Sequence, residues 1–166
     1  MTTRPSSPFA LPAAAGHVIA AEVRRFGQRD VETGGFLLAP LGHGTVTVVA
    51  FAGEAGIIRE RLLFQVSALA LDQLFGFADQ RSCRVPAQFH SHVAGAFLSF
   101  TDQQLGLRVN GFTSVVIPRF ADPAAGVTAW GWWRFFSEDW TPCQPPQIEG
   151  DDVEVVTFDE EGVRAW

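Results

Sequence analysis

Three side chains able to bind a metal or move a proton fall within one stretch, "QFHSHVAGAFLSFTDQQ", residues 88 to 104. His90 and His92 are two of the chain's four histidines, and Asp102 follows the second by ten residues. The segment around them is apolar. On an extended strand the side chains of residues i and i+2 point the same way, so His90 and His92 would offer one bite to one ion. A short helix beginning near Ser99 would bring the carboxylate of Asp102 back over the pair. Two imidazole nitrogens and one carboxylate oxygen leave a fourth position open, the form of a catalytic zinc site; structural sites are usually closed by four protein ligands. A blander reading stands beside it. An isolated H-x-H is about as often a pair of satisfied core or loop histidines, and an aspartate in a first helical turn also answers the helix dipole.

The surrounding pattern is more specific. "HSH" followed by Ser99, Phe100, Thr101, Asp102 resembles the H-x-H…S-x-x-D signature of the JAMM metalloproteases, also called MPN-plus, Mov34 or JAB-type proteins. That family adds a glutamate early in the chain, at the start of its first core strand. "VETGGFLL" supplies Glu32 in this place, with Gly34 and Gly35 letting backbone approach closely. The resemblance spans roughly residues 17 to 136. It implies an α+β chain of the MPN (cytidine-deaminase-like) fold, with a mixed sheet packed between helices. It also implies one catalytic Zn2+ on His90, His92 and Asp102, Glu32 as the acid–base residue, and Ser99 as hydrogen-bond donor to the oxyanion. The activity implied is a peptidase or isopeptidase cutting after the C-terminus of a ubiquitin-like modifier, by hydrolysis without a covalent intermediate. Partners implied are the modifier or its conjugates, with E1-like and E2-like enzymes of a bacterial, in some cases antiviral, operon. A non-catalytic MPN scaffold is the alternative, as is a JAMM peptidase acting on a sulfur-carrier protein or another peptide.

Two features depart from the family pattern. Six residues, "VAGAFL", separate His92 from Ser99 where seven are usual, and Val93 stands where proline is usual. Both imply a shorter, reshaped loop over the metal. The intervals after "VVAFAG" and after "TDQQLGLRVN" look too short for the two insertions with which eukaryotic members grip a ubiquitin dimer. A compact prokaryotic-type member is the expectation.

The elements that must hold these residues are readable in outline. "HVIAAEVRRFGQRDVE" has Ile19, Val23 and Phe26 at helical spacing. "TGGFLLAPLGHGTVTVVAFAG" reads as two strands around a turn at Gly42 to Gly44, with His43 a loop residue. "FQVSALALDQLFGFADQRS" reads as the best helix, with Val66, Leu69, Leu74 and Phe77 on its buried face. "RVPAQFHSH" is extended, since the residue before Pro86 is pushed away from helix. Ser99 or Thr101 caps the short helix. "FTSVVIPRF" and "GVTAWGWWRFF" are rich in strand-forming residues.

The 166 residues suit one domain, and net charge is −6. No basic face suggests a nucleic-acid partner, and no apolar run approaches the roughly 20 residues of a membrane span. All twelve basic residues are arginine, and tyrosine is absent, a joint depletion that fits a GC-rich genome. Cys83 and Cys143 lack metal spacing and read as two buried thiols in a reducing compartment, so a cytoplasmic setting is expected. Residues 1–16, broken by Pro5, Pro8 and Pro12, read as a loose leader, and 17–140 as the catalytic domain. Residues 141–166 read as an acidic extension, seven acids against one arginine, either mobile or a small hairpin.

Overall fold

The computed structural model describes residues 3–166. In chain order the elements are helix α1 (Ala13–Gly27), strands β1 (Gly34–Pro40), β2 (Val48–Ala52), β3 (Ile57–Glu60) and β4 (Leu63–Val66), helix α2 (Ala68–Gln80), strand β5 (Cys83–Ser91), helix α3 (Phe100–Leu105), and strands β6 (Thr113–Ile117), β7 (Gly131–Phe136), β8 (Asp139–Pro142), β9 (Glu154–Asp159) and β10 (Gly162–Ala165). Eight strands form one mixed sheet in the order β10-β9-β2-β1-β5-β6-β7-β8, and β3 and β4 make a separate hairpin. The class is α+β.

The sheet is apolar on both faces, and strand alternation sorts the residues between them. Leu37, Phe51, Phe89, Val115 and Ile117 pack against Ile19 and Val23 of α1. Phe36, Leu38, Ala50, Val116 and Phe158 pack against Ala70, Leu74 and Ala78 of α2. β5 lies at the centre, antiparallel to β1 and parallel to β6. The β5–β6 crossover carries α3, the kind of connection a parallel pair requires. Pro86 cannot donate to the ladder, and the β1–β5 register shifts between Leu37 and Ala39, a bulge in which Val85 and Pro86 face the single residue Leu38.

Several expectations need correction. Residues 9–11 are not a loose leader: Phe9, Ala10 and Leu11 are buried, and bridges join Ala10 to Thr45 and Leu11 to Ile148. Residues 1 and 2 of that stretch lie outside the described residues. Helix α1 begins at Ala13, inside the presumed leader, with its first N–H groups donating to the carbonyls of Gly150 and Asp151. The second helix begins at Ala68; Phe64 to Val66 belong to β4, and Leu69 is 63% exposed. The boundary at 140/141 cuts through β8. The last segment is a hairpin, and more than an appendage: β9 pairs in parallel with β2 along its length, burying Val156 and Phe158. Cys143 is buried with its thiol pushed up to about 11 by burial, whereas Cys83 is only half-buried. Among the described residues, no helix is long and apolar enough to cross a membrane.

Candidate metal centre

β5 positions the two histidines. Ala87 and Phe89 face α1, so Gln88 and His90 face the opposite side, and His92, just beyond the strand end, continues that side. Backbone bonds fix the strand end: His92 N–H donates to Ile117 O at 2.9 Å, and Phe120 N–H donates to His92 O at 3.0 Å. Asp102 reaches the same point from the first turn of α3. Ser99 is the N-cap of this helix, and a reciprocal capping box holds it: Asp102 N–H donates to Ser99 Oγ at 3.0 Å and Ser99 N–H donates to Asp102 Oδ2 at 2.9 Å. The cap therefore aims the carboxylate.

The three groups converge. His90 Nε2 lies 3.1 Å from His92 Nε2 and 3.2 Å from Asp102 Oδ1, and His92 Nε2 lies 3.0 Å from Asp102 Oδ2. Zinc bonds of 2.0–2.2 Å at tetrahedral angles put neighbouring ligand atoms roughly 3.3–3.5 Å apart, so the donor set fits one small tetrahedral cation after shifts of a few tenths of an ångström. His92 Nδ1 lies 3.1 Å from Gly95 O, which holds the proton on Nδ1 and turns the Nε2 lone pair toward the shared point. Burial lowers the affinity of the His92 ring for a proton, but the hydrogen bond and charge of Asp102 outweigh this and raise its pKa. Burial likewise pushes the Asp102 carboxyl up, yet its bonds to both histidines hold it well below the usual carboxylate range. A cation needs the carboxylate anionic and both imidazoles neutral, so its binding would displace the proton that Asp102 favours on His92.

Glu32 stands apart from this cluster and close to it. The β1–β5 pairing sets Gly34 opposite His90, and Ser91 N–H donates to Thr33 O, so the register runs on to place Glu32 opposite His92. Glu32 is 4% exposed, and its N–H donates to Glu60 O of β3. Burial pushes its carboxyl up to about 8; the charge of His92 lowers it and that of Asp102 raises it. The glycines after it are needed for space. A Cβ on Gly34 would lie 2.6 Å from the Phe64 ring, and one on Gly35 would lie 2.1 Å from Ala50 O. Ser91 points to the other face, where its Oγ accepts the Thr33 N–H.

Every residue the sequence singled out is thus near one point: His90, His92 and Asp102 in mutual contact, Ser99 through the cap, Glu32 across the strand pair. What the sequence reading lacked is the β3–β4 hairpin. Arg59 of β3 donates to Thr33 Oγ1, Gly53 O and Ala52 O, and so fastens the hairpin beside Glu32. Phe64 and Val66 of β4 form one wall of a cleft that ends at His90 and Asp102; Leu105 and Leu107 form the other. The interval that looked too short for an insertion is this wall. The loop from Val93 to Leu98 is tied down by Arg119 N–H donating to Ala94 O, and the Phe97 ring packs 5.1 Å from the His92 ring.

No protein-family model matches the chain, and no curated protein does. Solved structures do share the fold. A Desulfitobacterium hafniense protein, known from a solution structure, aligns with a TM-score of 0.65 at 14% identity, covering 88% of this chain and 95% of that one. A Salinibacter ruber protein, also a solution structure, aligns at 0.58 with 20% identity, covering 85% and 92%. At these identities the likeness concerns the fold alone.

Proposed function

We propose that this protein is a JAMM-type zinc peptidase or isopeptidase of the MPN-plus family, acting at the C-terminus of a ubiquitin-like modifier. The observation that carries the reading is the convergence of His90 Nε2, His92 Nε2 and the Asp102 carboxylate within 3.0–3.2 Å, beside a buried glutamate. A zinc ion bound by these three residues would lower the pKa of a water at its open position and polarise the substrate carbonyl. Glu32, buried beside the three ligands, takes a proton from the attacking water and passes it to the leaving amine. Ser99 Oγ accepts the capping N–H, which leaves its own hydrogen free to donate to the oxyanion. Capping and catalysis are compatible in one hydroxyl. The substrate tail lies extended in the cleft, where β4 pairs only with β3 among the described residues and leaves an edge for strand addition.

The test is direct. Protein purified without added zinc should carry about one zinc per chain and cleave a fusion made at the C-terminus of a ubiquitin-like protein. Full zinc occupancy in a His90→Ala/His92→Ala double variant would sink the metal assignment. A zinc-loaded protein that binds modifiers and cleaves none would point to the scaffold alternative.

A further inference from the structure

We infer that Phe97 is a specificity residue on the far side of the metal centre, where its exposed ring receives the leaving group and selects an apolar group on the amine side of the scissile bond. The inference rests on the peptidase reading above.

The cleft that would hold the substrate tail ends at His90 and Asp102, and no residue of the 93–98 loop lines it. His90 lines the cleft and His92 does not, yet their Nε2 atoms meet at one point. A chain that enters along the cleft and is cut at that point leaves past His92. The Phe97 ring stands there, 5.1 Å from the His92 ring and inclined to it by 65°.

An isolated exposed phenylalanine is ordinary on a protein surface. Phe97 is 58% exposed but firmly held. A Cβ on Gly95 would lie 2.9 Å from Phe97 Cδ1, so the ring rests on bare glycine backbone. The loop beneath it is tied at every residue from 94 to 98. Ala94 O accepts the Arg119 N–H at 3.0 Å, and Gly95 O lies 3.1 Å from His92 Nδ1. Ala96 O would lie 2.1 Å from a Cβ on Gly131, so the loop backbone sits directly on the start of β7. Leu98 is buried in the core on the α2 side of the sheet. The ring is thus fixed beside the metal point before any substrate arrives, and a preordered aromatic surface loses little freedom on binding.

The loop, "VAGAFL", carries no charged or hydrogen-bonding side chain. What it offers a leaving group is the apolar ring. A carboxylate there would lose water without gaining a counter-charge. Glycine would leave the ring exposed. A leucine or phenylalanine after the scissile amide covers the ring, and so does the methylene stem of a lysine whose Nε forms an isopeptide bond. The shared chemistry is an apolar group joined to the leaving nitrogen. The plainer role for the ring is a cover over His92, which would act on zinc retention and on all substrates alike.

The experiment uses zinc-loaded full-length protein and internally quenched peptides with glycine before the scissile amide. Leu, Phe, Gly, Asp or Arg follows the amide, and one further peptide joins the glycine to lysine Nε. Hydrolysis is read on the unmodified enzyme, and affinity by calorimetry on the Glu32→Gln form. The Leu, Phe or isopeptide substrates should exceed Gly and Asp by about fivefold or more in kcat/KM, mostly through KM. A lead for the isopeptide alone identifies a lysine stem as the occupant, and a lead for Leu and Phe alone a side chain. Phe97→Ala should keep its zinc and shrink the lead to within about twofold, and Phe97→Leu should keep part of it. The inference is overturned by an unchanged ranking in Phe97→Ala, by Arg ranking above Leu, or by no binding of any peptide. It is also overturned by an equal loss on every peptide together with lost zinc, or by a dimer in light scattering that Phe97→Ala dissolves. A Phe97-dependent ranking in binding without hydrolysis would leave the contact standing and remove the peptidase reading. Hydrolysis with a ranking indifferent to Phe97 would do the reverse.

Discussion

Glu32 shows how much one buried carboxyl can report. Its folded pKa is raised, so the folded chain keeps a proton that the unfolded chain releases above pH 4.5. The stability tied to that proton is complete below 4.5 and is lost as pH rises through about 8. In the metal-free protein, the stability of wild type relative to Glu32→Gln should therefore fall by about 1.4 kcal/mol per pH unit across this window. Denaturant melts at several pH values measure it, and a flat difference would refute the buried-base assignment. The same variant should keep its zinc and lose hydrolysis by about 10²–10⁴-fold. Loss of zinc would reclassify Glu32 as a ligand. The position of Glu32 was legible in the sequence only through its Gly-Gly context, since a lone glutamate before a strand carries no signal. That the two histidines share one side was legible from strand alternation.

At the scale of the element, α3 joins two duties. It is six residues long, none of them buried, so its cap and its carboxylate contacts hold it in place. Ser99→Ala removes both the cap and the proposed oxyanion donor, whereas Ser99→Gly keeps most of the capping ability and removes only that donor. Ser99→Ala should destabilise the protein by about 1 kcal/mol and Ser99→Gly by a few tenths. Both should lower kcat by about 10²–10³-fold. Equal melting points with unequal kcat values would contradict this division. The start of α3 was readable because Ser-x-x-Asp is a capping pattern as well as a family signature. The β3–β4 hairpin was hidden. "IIRERLLFQV" mixes arginine and glutamate with apolar residues, contains no glycine or proline, and runs straight into a helix, so only its last three residues were assigned, as the front of α2. β8 was hidden for a related reason: Ser137 and Glu138 take positive φ values of 50° and 70° at its turn, with no glycine or asparagine to announce it.

For the whole molecule, the hairpin that the sequence offered for the acidic tail is part of the main sheet. Its acids lie at the edges of β9 and β10, while Phe158 is fully buried against Phe36, with ring centroids 5.6 Å apart. Phe158→Ala should cost about 3–5 kcal/mol in chemical denaturation. Ending the chain after Gly150 should leave no cooperatively folded, zinc-loaded protein; a folded truncation with raised KM would instead make the hairpin a substrate contact. The anchoring of α1 by the Gly150 and Asp151 carbonyls has a further result, in the order of synthesis. Glu32, His90, His92, Ser99 and Asp102 all leave the ribosome before the residues that cap α1 and before β9. Until then β2 presents an open, wholly apolar edge, the surface most prone to pair with another chain. The nascent protein would thus carry the complete proposed ligand set while its sheet is still open, and zinc captured at that stage would favour the half-built sheet over its aggregated alternatives.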